Sequence, residues 1–308
     1  MPAAHAQTDN FPSRPITVLV PFPPGGSSDV MTRAVAQKVA ESLKVNIVID
    51  NRSGGSGTVA AVATKQAAPD GYTLFLANNG LFAITPALIS DMRFDQIKDF
   101  EPITPIVSFP SVLMVPVGLP AKSVKELVAH AKSKPGGLNF ASQGVGSGGH
   151  VLGEMLRLKS GAPMVHVPYR GAGPAVTDIA AGNVDLLFGS YVSVAGQVHA
   201  GKVRLLGWTA AKRSATIPEV PTMAEAGFPG TELEIWHGLV APAGTPAAIV
   251  RKLNEEFVKA LRSPDILKMF DQQAADALPT TPAEFAKLIA SDIDRLGKVV
   301  RDAGIKMP

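Results

Sequence analysis

The chain has 308 residues, of which 46% are apolar and 18% charged, and no run of about 18 apolar residues, which excludes a disordered chain, a coiled coil and a membrane-crossing helix. The formal net charge is +3 and cysteine is absent, so thiolate metal sites, thiol nucleophiles and disulfides are out. No window gathers Lys and Arg, and aromatics are only 6%, which leaves a small anion, not a nucleic acid, as the partner that suits a mild positive balance.

At about 150 residues per domain the length suggests two domains, each large enough for its own core. Ala4-His5-Ala6 before Gln7 has the small-x-small form of a signal-peptidase site. Residues 1–6 read as the remnant of an export signal whose start has been trimmed, with an ordinary N-terminal tail as the competing reading. Short apolar runs then alternate with helical stretches, the signature of an α/β chain with parallel sheets. Strands are predicted at 16–20, 46–50 and 73–77, with helices at 28–43 and 57–67 between them. A second set follows, with strands at 112–115, 138–141, 164–167, 184–188 and 203–208 and helices at 123–132, 147–159, 172–181 and 193–199. One more strand, 238–241, leads into a helical tail. Thr245-Pro246 reads as an N-cap with proline at the first helical position, and Thr281-Pro282-Ala283-Glu284 as a capping box, with Arg262-Ser263-Pro264 as a break between them. The tail either follows as a further bead or crosses back onto the first domain, and two short crossings near Ser108 and Glu234 would make a hinge.

Pro21-Phe22-Pro23-Pro24-Gly25-Gly26-Ser27-Ser28-Asp29, between the first strand and the first helix, is the sharpest local feature. Prolines stiffen the loop, the glycines let backbone N–H groups face outward, and the serines open a helix whose N-terminus favours an anion. A rigid connection with no ligand is the alternative. Gly144-Val145-Gly146-Ser147-Gly148-Gly149 matches the dinucleotide fingerprint, but the next strand ends in Pro168-Tyr169-Arg170 where an acidic residue is wanted. That keeps an NADP-dependent oxidoreductase alive only if Arg170 meets a 2′-phosphate. A second anion cradle built from backbone amides, Ser142, Ser147 and His150 is the better account. Arg170 is the obvious carboxylate fork unless it is solvated, and Gly189-Ser190-Tyr191 follows the next strand as a further wall. Trp236 is either core packing or an aromatic that closes over a ligand. No Gly-x-Ser-x-Gly occurs, and neither a triad nor a metal spacing is visible.

Taken together, these segments resemble the Bug (TctC-like) family, the extracytoplasmic solute-binding proteins of tripartite tricarboxylate transporters. The likeness runs from Phe11-Pro12-Ser13-Arg14-Pro15-Ile16 through the 20–29 loop, Asp50-Asn51-Arg52-Ser53-Gly54-Gly55 and Pro69-Asp70-Gly71-Tyr72-Thr73-Leu74. It resumes at 144–150, 167–171 and Ile217-Pro218-Glu219-Val220-Pro221-Thr222, and ends at Trp236-His237-Gly238 through Pro246.

The resemblance implies a two-domain Venus flytrap of the periplasmic-binding-protein type, each domain a mainly parallel sheet flanked by helices. Domain 1 would be 7–108 plus 236–308 and domain 2 109–235, hinged near 108 and 235. It implies a non-catalytic, cofactor-free periplasmic protein, a monomer, that captures an organic carboxylate and delivers it to the membrane permease subunits of the transporter. A sensor for a signalling partner fits the same chemistry. The expected ligand residues are Phe22, Pro24, Gly25, Gly26, Ser27, Ser28, Asp29 and Asn79 from the first domain and Trp236 at the crossing. The second would supply Ser142, Ser147, His150, Tyr169, Arg170, Gly189 and Ser190, while Asn51-Arg52 and Asp70-Gly71 are structural. Two departures stand out: family members usually carry Phe-Asp where this chain has Phe188-Gly189, and often Thr-His where it has Asn78-Asn79. Loss of an aspartate there favours a doubly anionic ligand, aliphatic or aromatic such as terephthalate.

Overall fold

Strand β1 (Ile16–Val20) is buried along nearly its whole length, as a strand with parallel neighbours on both sides must be. It pairs with β2 (Ile47–Asn51) and with β3 (Thr73–Asn78), so that Val18 lies opposite both Ile49 and Leu74. Helices α1 (Ser27–Leu43) and α2 (Thr58–Lys65) make the crossovers that parallel pairing requires. In this computed structural model residues 10–54, 57–89 and 92–305 are described, so the export-signal reading of 1–6 lies outside them. β3 ends in a wide helical turn, Gly80–Ile84, closed by the Thr85 N–H on the Gly80 carbonyl, and then in the short α3 (Thr85–Leu88).

Next comes an eleven-residue strand, β4 (Phe100–Pro110), that the apolar pattern did not announce. Pro102, Pro105 and Pro110 interrupt it, and prolines in a run argue against a strand that must donate to a ladder on both sides. β4 leads almost directly into β5 (Val112–Pro116). There follow α4 (Val124–Ser133), β6 (Leu138–Ser142), α5 (Gly148–Ser160), β7 (Met164–Pro168), α6 (Ala172–Ala181), β8 (Leu186–Gly189), α7 (Tyr191–His199) and β9 (Val203–Trp208). The chain closes with β10 (Glu234–Pro242), α8 (Ala247–Leu261), α9 (Pro264–Asp271), β11 (Asp276–Ala277) and α10 (Pro282–Asp302).

Two sheets result, in the orders β11-β4-β10-β3-β1-β2 and β7-β6-β8-β5-β9. Both are flanked by helices, and each combines a parallel set of strands with reversed ones. β10 runs antiparallel to β3, and β5 runs antiparallel to both β8 and β9. Neither β5 nor β10 is entered through a crossover helix, so nothing compels either to run parallel to its neighbours. By their contacts the described residues up to Ser108 group with Trp236–Asp271 and Asp276–Leu296. Phe109–Ile235 group with Gln272–Ala275 and with the described residues from Gly297, 297–305. The tail contributes residues to both groups.

The capping box forms as expected: Thr281 N–H donates to Glu284 Oε2 (2.8 Å) and Glu284 N–H to Thr281 Oγ1 (3.3 Å). Thr245 does not cap α8. Its hydroxyl turns back to the Pro242 carbonyl (2.7 Å), Pro246 takes the cap position and the helix starts one residue later. In the first core Phe82 packs against Phe75, Phe94 and Phe100 with centroids 5.3–6.2 Å apart, alongside Trp236, Phe285 and Ile289. The second gathers Val112, Met114, Leu187, Val194 and Trp208. Beneath α5 a further stack forms, with the His150 and His166 rings parallel at 3.7 Å and Phe140 against His166 at 4.9 Å. Burial lowers both imidazoles to about 4, helped for His150 by its neighbour His166, so both are neutral at pH 7.

Two expected outcomes follow from this packing. Gly71 has φ +82°, and a Cβ there would lie 2.4 Å from Ile249 Cγ2 and 2.8 Å from Phe11 Cε2. Gly71→Ala should cost about 2–4 kcal/mol, read as a fall in Tm of roughly 5–10 °C. The histidine stack makes stability pH-dependent. Because the folded values lie below the ordinary 6.5, the unfolded chain binds more protons, and stability falls as pH drops from 6.5 towards 4. Urea midpoints at pH 7 and pH 5 should show the loss, and His166→Phe should reduce it in part, since His150 and the buried His237 remain lowered; an unchanged slope in that variant would remove His166 as a source.

Candidate functional site

The loop between β1 and α1 is held by one buried carboxylate. Asp29 is 3% exposed and accepts from the Gly25 N–H (2.9 Å), from Arg33 Nε (3.0 Å) and from Asn51 Nδ2 (2.9 Å). Burial works against its charge, but these three donors outweigh that and hold it below the usual carboxylate range. Asn51 also donates to the Phe22 carbonyl (3.0 Å) and accepts from Arg33 Nη2 (2.8 Å), so one amide ties the loop, the helix and the end of β2 together. Asp29 is thus a brace with its lone pairs engaged, with Arg33 as its main partner and Asn51, read as structural, as another.

The brace leaves Pro24, Gly25 and Gly26 exposed and Phe22 and Ser28 half-buried, with Gly25 at φ +84° turning the chain into α1. The helix has no side-chain cap, and its first N–H groups have no acceptor within it. Ser27 takes the first helical position. The end of α1 is therefore set up to donate backbone N–H groups to an anion.

The other first-unit candidates fall deeper. Asn79 is fully buried where β3 ends, and neighbouring Asn78 spends its Oδ1 on the Leu81 N–H (2.9 Å). Trp236, 3% exposed, donates its indole N–H to Asp292 (2.8 Å) and stands edge-on to Phe285 at 5.2 Å, which makes it core. Successive strand residues face opposite ways, and it is His237 that packs beside Phe22, 5.3 Å between centroids, neutral through burial and lowered to about 3. The sequence reading singled out Trp236 and not His237; its place one step along from a core tryptophan was the available signal for the opposite face.

In the second unit the candidate loops all follow carboxyl ends of β6, β7 and β8, which are parallel neighbours. Ser142 is fully buried; its Oγ lies 2.6 Å from His166 Nε2 and bonds the Gly144 N–H and carbonyl. That pair has the spacing of a nucleophile and its base, but the hydroxyl is sealed inside the turn. Ser147 caps α5 by accepting from the His150 N–H (3.3 Å), and His150 Nδ1 accepts from the Gly146 N–H (3.2 Å). These three side chains shape the 142–150 loop. Tyr169 donates to Asp178 (2.6 Å), with burial first and then that carboxylate pushing its hydroxyl up to about 12. Arg170 is exposed and makes no ion pair among the described residues. Gly189 is buried, and Ser190 starts α7 without a side-chain cap.

The glycines at 148 and 149 answer to packing: a Cβ would lie 2.3 Å from Ile235 Cδ1 at the first and 2.6 Å from the Phe188 carbonyl at the second. A separate depression of about 470 Å³ beside α2, lined by Val59, Val62, Ile89 and Arg93, contains none of the candidate residues. Among the described residues no His, Asp or Glu cluster forms a metal site.

A family profile described as the tripartite tricarboxylate transporter family receptor, TctC, matches residues 31–305. BugT of Bordetella pertussis is 36% identical over 306 residues, 99% of this chain and 94% of BugT. A solved structure described as a periplasmic transporter is 39% identical with a TM-score of 0.89, over 96% of this chain and 99% of that one. The R. palustris protein Rpa4515, solved with adipate, is 34% identical with a TM-score of 0.90, over 96% and 100%. This is a family of solute-binding receptors and not of enzymes, so the dinucleotide reading of 144–149 is set aside. The chain belongs to the TctC family of solute-binding receptors and has the two-sheet α/β fold of periplasmic binding proteins.

Proposed function

We propose that this protein captures an organic dicarboxylate in the periplasm and delivers it to the membrane permease subunits of a tripartite tricarboxylate transporter. The observation that carries the reading is the braced, uncapped N-terminus of α1, where backbone N–H groups are offered beside Gly25 and Gly26 while Arg33 offsets the Asp29 charge. One carboxylate of the ligand docks there, with Phe22 and His237 as the apolar wall. The second unit meets the other end through Arg170, the Ser190 turn and the loop after β6, and the units close about the chain crossings at Ser108–Phe109 and Ile235–Trp236. Support for a diacid comes from the adipate bound by Rpa4515 and from Gly189, which places no charge where a second carboxylate would arrive.

A thermal-shift screen with mono-, di- and tricarboxylates, aliphatic and aromatic, plus NADPH, tests this. A diacid at 100 times its Kd should add about 2.7 kcal/mol, with no response to NADPH; silence to every acid would remove the reading. Gly189→Asp should weaken a diacid about tenfold or more by like-charge repulsion, and equal affinity in that variant would sink the role given to Gly189.

A further inference from the structure

The loop after β6 carries one polar side chain that neither the motifs nor the fold explains. Gln143 is half-buried, and its Nε2 donates to the Phe188 carbonyl (2.9 Å), across from β6 to the end of β8. A carbonyl can only accept, so this bond fixes which end of the amide is nitrogen and therefore which way the group faces. Three observations show that the surrounding chain makes room for it. A Cβ on Gly149 would lie 2.5 Å from Gln143 Oε1, so any larger residue there expels the amide. A Cβ on Gly189 would lie 3.4 Å from Gln143 Nε2 and 3.6 Å from Ser193 Oγ, so the space beside Gly189 borders the amide directly. The Ser193 hydroxyl is turned away to the Ser190 carbonyl (2.7 Å).

After the bond to Phe188, the amide keeps one N–H and its carbonyl oxygen, for which no hydrogen bond is formed among the described residues. The group is neutral, oriented and set at the carboxyl edge of two parallel strands, where ligands of open α/β sheets sit. We infer that Gln143 is the specificity-determining residue of the second unit, donating its remaining N–H to the distal carboxylate of a diacid. The inference rests on the dicarboxylate reading above and adds the group that tells a diacid from a monoacid of the same length. A carboxylate accepting from a fixed amide gains a charge-assisted bond, whereas a terminal methyl gains nothing there and leaves the amide dry.

The test is isothermal titration of the parent, Gln143→Leu and Gln143→Glu with adipate against hexanoate and with terephthalate against benzoate. Leucine keeps the volume and removes both polar groups; glutamate keeps the shape and brings a charge. We expect Gln143→Leu to weaken the diacid about tenfold or more and Gln143→Glu further, with the matching monoacid changed less than about twofold. If the parent takes up neither diacid, the dicarboxylate reading falls and this inference with it. If the parent binds a diacid and both variants keep its diacid-to-monoacid ratio, the inference alone falls. An equal loss for both acids, with a lowered Tm, would make Gln143 a brace between β6 and β8 and would also overturn it.

Discussion

Two parallel strands cannot be joined by a tight turn, and this constraint organises both units. Each parallel step from β1 to β2 to β3, and from β6 to β7 to β8, must return through a crossover, so every strand in the set ends at the same edge. The loops at 21–26, 143–147, 169–171 and 190 are all products of that rule. Chemistry is concentrated there because the interior of each sheet has no polar capacity to spare, and because α1, α5, α6 and α7 all begin there.

What distinguishes these loops is how their charges are handled. In the first unit a full carboxylate stands beside the place offered to an anion, and it is tolerable because Arg33, Asn51 and a backbone N–H neutralise and saturate it. In the second, the two stacked imidazoles are held neutral by burial, to which His166 adds for His150. Tyr169 keeps its proton and gives it to Asp178 as a bond. Arg170 is left as the exposed cation of that loop. The arrangement favours backbone dipoles and neutral amides over ion pairs. Such groups pay less in lost hydration when they are covered than charged ones do.

Much of this was legible in the residues. Hydrophobic period and capping signals located most strands and helices to within a residue or two, since Ile, Val and Leu runs bounded by Gly and Pro admit few other readings. β4 was missed because its prolines imitate a breaker, and Thr245 was misread because a threonine before proline can spend its hydroxyl on a nearby carbonyl as readily as on a helix. Among candidate site residues, the sequence could not tell a wall from a brace. Asp29, Ser142 and Ser147 are polar residues at loop ends, yet each turns inward, because whether such a group faces a ligand depends on partners from distant segments such as Asn51 and His166. His166 and Gln143 had no local signature at all.

The Asn51 amide has a consequence for how a ligand would arrive and leave. A loop whose carbonyl, carboxylate and helix start are already tied in place surrenders little conformational freedom when an anion settles on it. Encounter would then proceed at a similar speed for any acid small enough to reach the turn, helped slightly by the overall positive balance. Discrimination would be exercised at departure, through the lifetime of the bound state, and a poor fit would reveal itself by escaping quickly, not by failing to enter.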